Sequence, residues 1–297
     1  MTVINTNVSA TLASNALSVN ERAMSTAMER LSTGKRINSA ADDAAGLAIA
    51  SRMSSQVKGL EQASRNTLDG ISMVQTIEGA GKEIVNIMMR MKELAVQANS
   101  GTYSSDDRAA LDAEFNELRS EVNRIAENTS WNGMTLMDAK NADGTQNNGG
   151  STTVALQVGS GSNQTMNIVF KDWSMNYDTS ATLTGVYGDT DTAGLGAGVG
   201  VDTTTAANNT LTALDAAIKN ASAELASYGA YMNRLEYAND NLLNVAQNTD
   251  ASRSRIEDAD YASETSELAK TQIIAQAGTA MLAQANQIKQ TVLALLQ

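Results

Sequence analysis

Ile274-Ala275-Gln276-Ala277-Gly278-Thr279-Ala280-Met281-Leu282-Ala283-Gln284-Ala285-Asn286-Gln287-Ile288 is the stretch that decides the fold. Ile274, Met281, Ile288 and Leu295 recur every seventh residue, with Ala277, Ala285 and Val292 beside them. That period is a helix with one apolar stripe, and such a stripe requires a partner helix. The segment runs on to Val292-Leu293-Ala294-Leu295-Leu296-Gln297 without a cap or a return. The first thirty residues offer the partner. Leu17, Met24 and Leu31 repeat at seven, with Ile4, Val8, Leu12 and Met28 around them. The paired stripe is too narrow for two helices to bury, so the chain reads as one built to assemble.

Moving inward, a first helix is expected from about Asn5 to Ser32. Gly34 stops it, and Lys35 and Arg36 sit at the negative end of its dipole. Ser39-Ala40-Ala41-Asp42 reads as a fresh N-cap. The second helix carries Met53, Val57, Leu60, Ile71, Val74, Ile77, Ile84, Met88, Met91 and Ala95 at three-four spacing. Ser64, Thr67 and Gly81 are weak points on that row. Its length of roughly 45 residues exceeds an ordinary globular helix and predicts a rod. After Ser100-Gly101-Thr102-Tyr103, Ser104 or Ser105 caps a third helix with the heptad seam Leu111, Phe115, Leu118, Val122 and Ile125. Asn132-Gly133 is a turn signal that closes this helical block.

From about Ala139 to Asn209 the composition shifts to Gly, Thr, Asn, Ser and Asp. Val154-Leu156-Val158 and Met166-Ile168-Phe170 alternate around Gly159-Ser160-Gly161-Ser162-Asn163, the pattern of a β-hairpin with a five-residue loop. Gly185 to Val201 reads as exposed loop. Helical pattern resumes at Leu211 and holds through Leu214, Ile218, Ala221, Leu225, Tyr228, Met232, Leu235 and Leu242. The predicted fold is mainly α: a long antiparallel helical rod with terminal coiled-coil helices and a small β-hairpin region mid-chain. The expected division is residues 1–39 with 256–297 as the paired terminal helices, 40–139 with 210–255 as the rod, and 140–209 as a short outer β/loop region.

Composition removes most chemistry. The 297 residues include no His, no Cys and no Pro, and the formal net charge is -12. Without His or Cys the commonest zinc, copper and haem ligands are absent, as are the usual general base and thiol nucleophile. Net acidity opposes nucleic-acid binding, which depends on Lys and Arg at phosphates. No run of about 18 apolar residues predicts a membrane span. The N-terminus lacks the basic start and apolar run of a cleaved signal, so an extracellular destination requires another route. Absent Cys and Pro suit a chain that is exported unfolded and folds quickly on arrival.

The remaining candidate motifs read as structure. Asp42-Asp43 belongs to the first turn of a helix, where acids favour the dipole. Glu257-Asp258 with Asp260 lacks the calcium-loop pattern and reads as a solvated face pairing with Arg253 and Arg255. Gly194-Leu195-Gly196-Ala197-Gly198 has neither the strand nor the Lys of a phosphate loop. Met88, Met89 and Met91 fit core or subunit contact at helical spacing. No catalytic, cofactor or metal set is legible.

Two blocks resemble a known family. Thr2-Val3-Ile4-Asn5-Thr6-Asn7 and Leu31-Ser32-Thr33-Gly34-Lys35-Arg36-Ile37-Asn38-Ser39-Ala40-Ala41-Asp42-Asp43-Ala44-Ala45-Gly46-Leu47-Ala48-Ile49 are similar to the N-terminal region of bacterial flagellins. Glu93-Leu94-Ala95-Val96-Gln97-Ala98 and Asn132-Gly133 fit it as well. Ser252-Arg253-Ser254-Arg255-Ile256-Glu257-Asp258-Ala259-Asp260-Tyr261-Ala262 and Gln276 to Gln287 resemble the C-terminal region. The likeness covers about 1–140 and 210–297.

The resemblance implies a non-enzymatic subunit that leaves the cell through the flagellar type III export route. It then polymerises by its terminal helices into an extracellular flagellar filament for swimming. The alternative is a hook-filament junction protein of the same superfamily. A zinc-peptidase insert, known in this family, is excluded by the absence of His. Implied partners are further copies of the chain, a secretion chaperone, a filament cap, hook-junction proteins and host innate immune receptors, with no nucleic acid and no membrane insertion. The implied core-assembly residues are Ile4, Val8, Leu12, Leu17, Met24, Leu31, Ile274, Met281, Ile288, Val292 and Leu295. The family's Toll-like receptor site maps onto Arg90, Leu94 and Glu114, with Met89 where Gln is frequent. The tail read by inflammasome sensors maps onto Leu293, Leu295 and Leu296, with Gln297 where Arg is common.

Overall fold

The computed structural model describes residues 7–138, 151–175 and 199–294, with side chains as far as 287 in the last segment. The fold is mainly helical. In chain order the elements are α1 (Val8–Thr33), α2 (Ala44–Ala98), α3 (Ser105–Asn128), β1 (Ser130–Trp131), β2 (Met134–Thr135), β3 (Ser151–Gln157), β4 (Thr165–Lys171), α4 (Thr204–Glu257) and α5 (Tyr261–Ala294). The chain divides into two compact units, one of Met1–Lys58 with Ala246–Gln297 and one of Gly59–Val245. Both α2 and α4 contribute to each.

The 59–245 unit has a closed apolar core. Val74, Ile77, Ile84, Met88, Met91 and Ala95 of α2 are buried, as the three-four row predicts. They pack with Phe115 and Val122 of α3, Leu214, Tyr228 and Leu235 of α4, and Ile168 and Phe170 of β4. The weak points on the α2 row are satisfied in place. The Thr67 hydroxyl donates to the Ala63 carbonyl at 2.8 Å, and the Ser64 hydroxyl donates to Asn239 at 2.6 Å. Helix α2 has 55 residues, longer than its apolar row suggests, because it continues unbroken through these polar positions.

The hairpin β3–β4 is antiparallel, with Val154 opposite Ile168 and Leu156 opposite Met166. The Val158 N–H donates to the Gln164 carbonyl at 2.9 Å, which closes the five-residue loop Gly159–Asn163. The ribbon lies directly on α2 where two glycines let it approach, and a third, Gly81, makes room for Leu225 of α4 and for Trp173 just after the ribbon. A Cβ on Gly59 would meet Ser160, one on Gly70 would run into Leu156, and one on Gly81 would press on Leu225 and Trp173. These glycines are eleven residues apart, close to three helical turns, so they share a face. Lys171 at the end of β4 pairs at 3.0 Å with Glu224 of α4, whose side chain is only 6% exposed. Trp173 follows, and its indole N–H donates to the Tyr228 hydroxyl at 3.2 Å. Burial pushes the Tyr228 phenol well above its ordinary pKa, and the nearby Glu224 carboxylate adds to the shift.

Helix α3 begins as its sequence predicts. The Ser104 side chain accepts from the Asp107 N–H while Asp107 accepts from the Ser104 N–H, a complete capping box. Helix α2 does not begin at the expected cap. Residues 39–42 instead form a turn in which Asp42 accepts from Asn38 N–H and Ser39 N–H, and the cap of α2 is Asp43, which accepts from Gly46 N–H at 2.8 Å. Asn132-Gly133 does more than end a helical block. Both residues have positive φ, 48° and 79°, and they join β1 to β2 in a two-residue hairpin.

Candidate functional site: the paired terminal helices

Helices α1 and α5 pair along their length in antiparallel register. The Asn7 side chain caps α1 by accepting from Ala10 N–H, and its amide donates to the Ala285 carbonyl at 3.3 Å. Leu17 lies against Gly278, with its Cδ1 3.4 Å from where a Cβ would stand. The Asn20 amide donates to the Thr271 carbonyl at 2.7 Å, and both residues are buried. Arg30 pairs with Glu264 at 3.1 Å. Residue numbers rise on one helix as they fall on the other, with no slip.

The pair is clasped at the end where both helices meet their loops. Gly34, at φ 72°, ends α1 with its N–H on the Arg30 carbonyl. Arg36 N–H donates to the Glu257 carbonyl at 2.7 Å, and Ala259 N–H donates to the Gly34 carbonyl at 3.0 Å. Lys35 and Arg253 both reach the Glu257 carboxylate, and Asp258 accepts from the Ser254 hydroxyl. The acids at 257–260 are thus fixed by local partners. Among the described residues no cluster of three or more His, Cys, Asp or Glu could hold a metal ion. No described helix is long and apolar enough to cross a membrane.

The seam corrects the sequence reading of α5. On α1, Leu17, Met24 and Leu31 are half-buried, with Ala13, Asn20 and Ala27 completing the heptad. On α5 the residues facing α1 are Leu268, Thr271, Ala275, Gly278, Leu282 and Ala285. The predicted row is elsewhere: Ile274 is 44% exposed and Met281 is 68% exposed. The physical reason is that the face toward α1 mixes leucines with small residues, Leu268, Ala275 and Leu282 beside Thr271, Gly278 and Ala285, whereas hydropathy ranking picks the stripe with a large side chain at every step. A further set of large apolar side chains is left facing outward: Val8, Leu12, Val19 and Met28 on α1, with Ile273, Ile274 and Met281 on α5. Of the other assembly candidates, Ile4 and Leu295 lie outside the described residues, and the side chains of Ile288 and Val292 are not described.

The second candidate surface is in the 59–245 unit. Arg90 donates to Glu114 at 2.9 Å and 3.2 Å and to Glu93 at 3.0 Å. Those hydrogen bonds, Glu114 first, raise the guanidinium pKa. Leu94, proposed with them as a receptor contact, is only 1% exposed and belongs to the core. Met88 and Met91 are buried as well, whereas Met89 is exposed. The tail residue Leu296 and the glycines at 194–198 lie outside the described residues, as does the side chain of Leu293.

Comparison with known proteins fits the terminal pairing. A model of the bacterial flagellin N-terminal helical region matches residues 4–142, and one of the C-terminal helical region matches 211–296. A flagellin of Halalkalibacterium halodurans is 41% identical over 99% of this chain and 100% of its own length. The chain belongs to the flagellin family. A flagellar filament 31.3 kDa core protein of Treponema maltophilum is 39% identical over the same shares of both chains. The family is one of structural filament proteins and not of enzymes. A solved structure described as a flagellar hook-associated protein, from Vibrio parahaemolyticus, aligns with a TM-score of 0.56 at 11% identity. It covers 73% of this chain and 100% of that one, and shows a shared fold alone.

Proposed function

We propose that this flagellin is a subunit that polymerises through α1 and α5 into the flagellar filament used for swimming. The observation that carries the reading is the outward row of large apolar side chains left on a helix pair whose own seam is already filled by other residues. Val8, Leu12, Ile273, Ile274 and Met281 are each 44% exposed or more. Burying one such side chain is worth about 1.5–3 kcal/mol as an upper figure, so a shared core of several copies is strongly favoured. A repeated contact that does not close on itself generates an open helix of subunits.

In this reading residues 1–39 and 256–297 form the filament core. Residues 40–139 and 210–255 form the surrounding rod, and 140–209 lies at the outer surface. The filament is extracellular, and its subunits travel unfolded by an export route that uses no cleaved signal. A chaperone covers the α5 stripe before export, a cap folds subunits at the tip, and junction proteins join filament to hook. Host receptors are secondary partners, and the exposed pair Arg90 and Glu114 is the part of that site open to them. Seeded extension followed by electron microscopy tests the core claim. The intact chain should lengthen seeds, and a chain lacking 256–297 should not. Failure of the intact chain to extend would overturn the reading.

A further inference from the structure

Helices α4 and α5 are separated by Asp258, Ala259 and Asp260 alone, and nothing in the local sequence breaks a helix there. From Ala230 to Ala277 the chain holds neither Gly nor Pro. Asp260 caps α5 by accepting from the Ala262 N–H at 3.0 Å. Asp is nonetheless tolerated inside helices, at a far smaller penalty than Pro. Helical bonding runs up to the break, with the Asp258 N–H on the Ser254 carbonyl at 2.9 Å. It resumes past the break, with the Glu264 N–H on the Asp260 carbonyl at 3.0 Å. Between those bonds an unbroken helix would set the Ala259 N–H on the Arg255 carbonyl, the Asp260 N–H on the Ile256 carbonyl and the Tyr261 N–H on the Glu257 carbonyl.

The segment 34–37 takes one partner of each of these three bonds. The Ala259 N–H donates instead to the Gly34 carbonyl at 3.0 Å. The Ile256 carbonyl accepts from the Arg36 guanidinium at 2.7 Å. The Glu257 carbonyl accepts from the Arg36 N–H at 2.7 Å and from the Ile37 N–H at 3.4 Å. Three consecutive steps of the ladder are thus diverted to four residues. Those residues are anchored in turn. Gly34, at φ 72°, turns the chain out of α1, and Lys35 pairs with the Glu257 carboxylate. Ile37 is 3% exposed, and its Cδ1 lies 2.7 Å from where a Cβ on Gly46 would stand. A group inserted into the i→i−4 ladder is one of the few causes of a sharp helix break. We propose that 34–37 is a wedge that divides one continuous helix into α4 and α5, and that residues 258–261 close their helical ladder when the wedge is withdrawn. The end of α1 then decides whether α5 is a separate helix or the continuation of α4. The inference concerns a single chain and stands whether or not that chain assembles.

Hydrogen exchange of the full chain, resolved to single amides, tests this. In the native protein the Asp260 and Tyr261 amides should exchange fast, because their helical acceptors are taken. In the double variant Arg36→Ala with Ile37→Ser, which removes the guanidinium and the anchor, both amides should slow by about tenfold, the scale of one hydrogen bond gained. Gly34→Val, whose β-branched side chain is strained at φ 72°, should act in the same direction. Loosening of the region can only speed exchange, so added protection isolates closure of the ladder. Asp260→Ala, with the wedge in place, removes the local cap and should leave Tyr261 fast. Unchanged or faster exchange at both amides in either wedge variant, whether or not α1 stays ordered, would overturn the proposal. Slowing of Tyr261 by Asp260→Ala would overturn it too, because the break would then be local.

Discussion

The two units of this chain use the same seven-residue period to opposite ends. Between 59 and 245 the period points large side chains inward, and Ile77, Ile84, Met88 and Met91 are fully buried. In the terminal pair the seam is filled by Leu17, Ala27, Leu268, Thr271, Gly278 and Leu282, while a second set of large side chains, Val8, Leu12, Ile273 and Met281, faces outward. One unit is finished by its own chain and the other is not. A heptad therefore reports that a helix has a packed face, and a second row of large side chains beside it reports that apolar surface is left over once that face is filled.

The sharpest way to break this contrast is to remove mass from each region. Trp173→Ala, at a fully buried ring, should destabilise the 59–245 unit by about 3–5 kcal/mol in chemical denaturation. Paired methionine truncations then compare the regions directly. Met88→Ala should cost about 2–5 kcal/mol, whereas Met281→Ala should leave monomer stability within about 0.5 kcal/mol and act on seeded extension instead. Equal losses from both would erase the distinction.

Alkaline titration sharpens it further, because a deeply buried phenol belongs to the closed unit. The Tyr228 pKa is raised in the folded state, so its contribution is complete below the unfolded value of about 10 and is lost as pH climbs toward the folded one. Unfolding free energy should fall above pH 10, and Tyr228→Phe should flatten that fall by up to about 1.4 kcal/mol per pH unit. The smallest effect is expected at the β1–β2 turn. Gly133→Ala forces a side chain into positive φ, and thermal melting should register a loss of about 1 kcal/mol.

Much of the closed unit was legible in the sequence. The α2 row from Val74 to Ala95, the Ser104 cap and the strands around Val154 and Ile168 follow from period and capping chemistry, which are local. What escaped is non-local. The α1–α5 seam depends on how two helices meet, and nothing in the spacing of Ile274 and Met281 states that Leu268, Gly278 and Leu282 will be preferred. Asp43 displaced the Ser39 turn as the cap of α2 because Asp42 was already taken by Asn38 and Ser39. Leu94, which the resemblance groups with Arg90 and Glu114, is a core residue, and residue spacing alone states which side of α2 it occupies but not how deeply it is covered.

The glycine spacing beneath the β3–β4 ribbon sets a rule for the length of α2. Gly59, Gly70 and Gly81 act as the marks of a ruler, and each must meet its own point on the hairpin or on Trp173. Adding one residue between two marks turns the next through about 100°, which presents a bulky side chain where the ribbon lies. Between Gly59 and Gly81 insertions and deletions are therefore forbidden one residue at a time, and variation in length belongs to the loops.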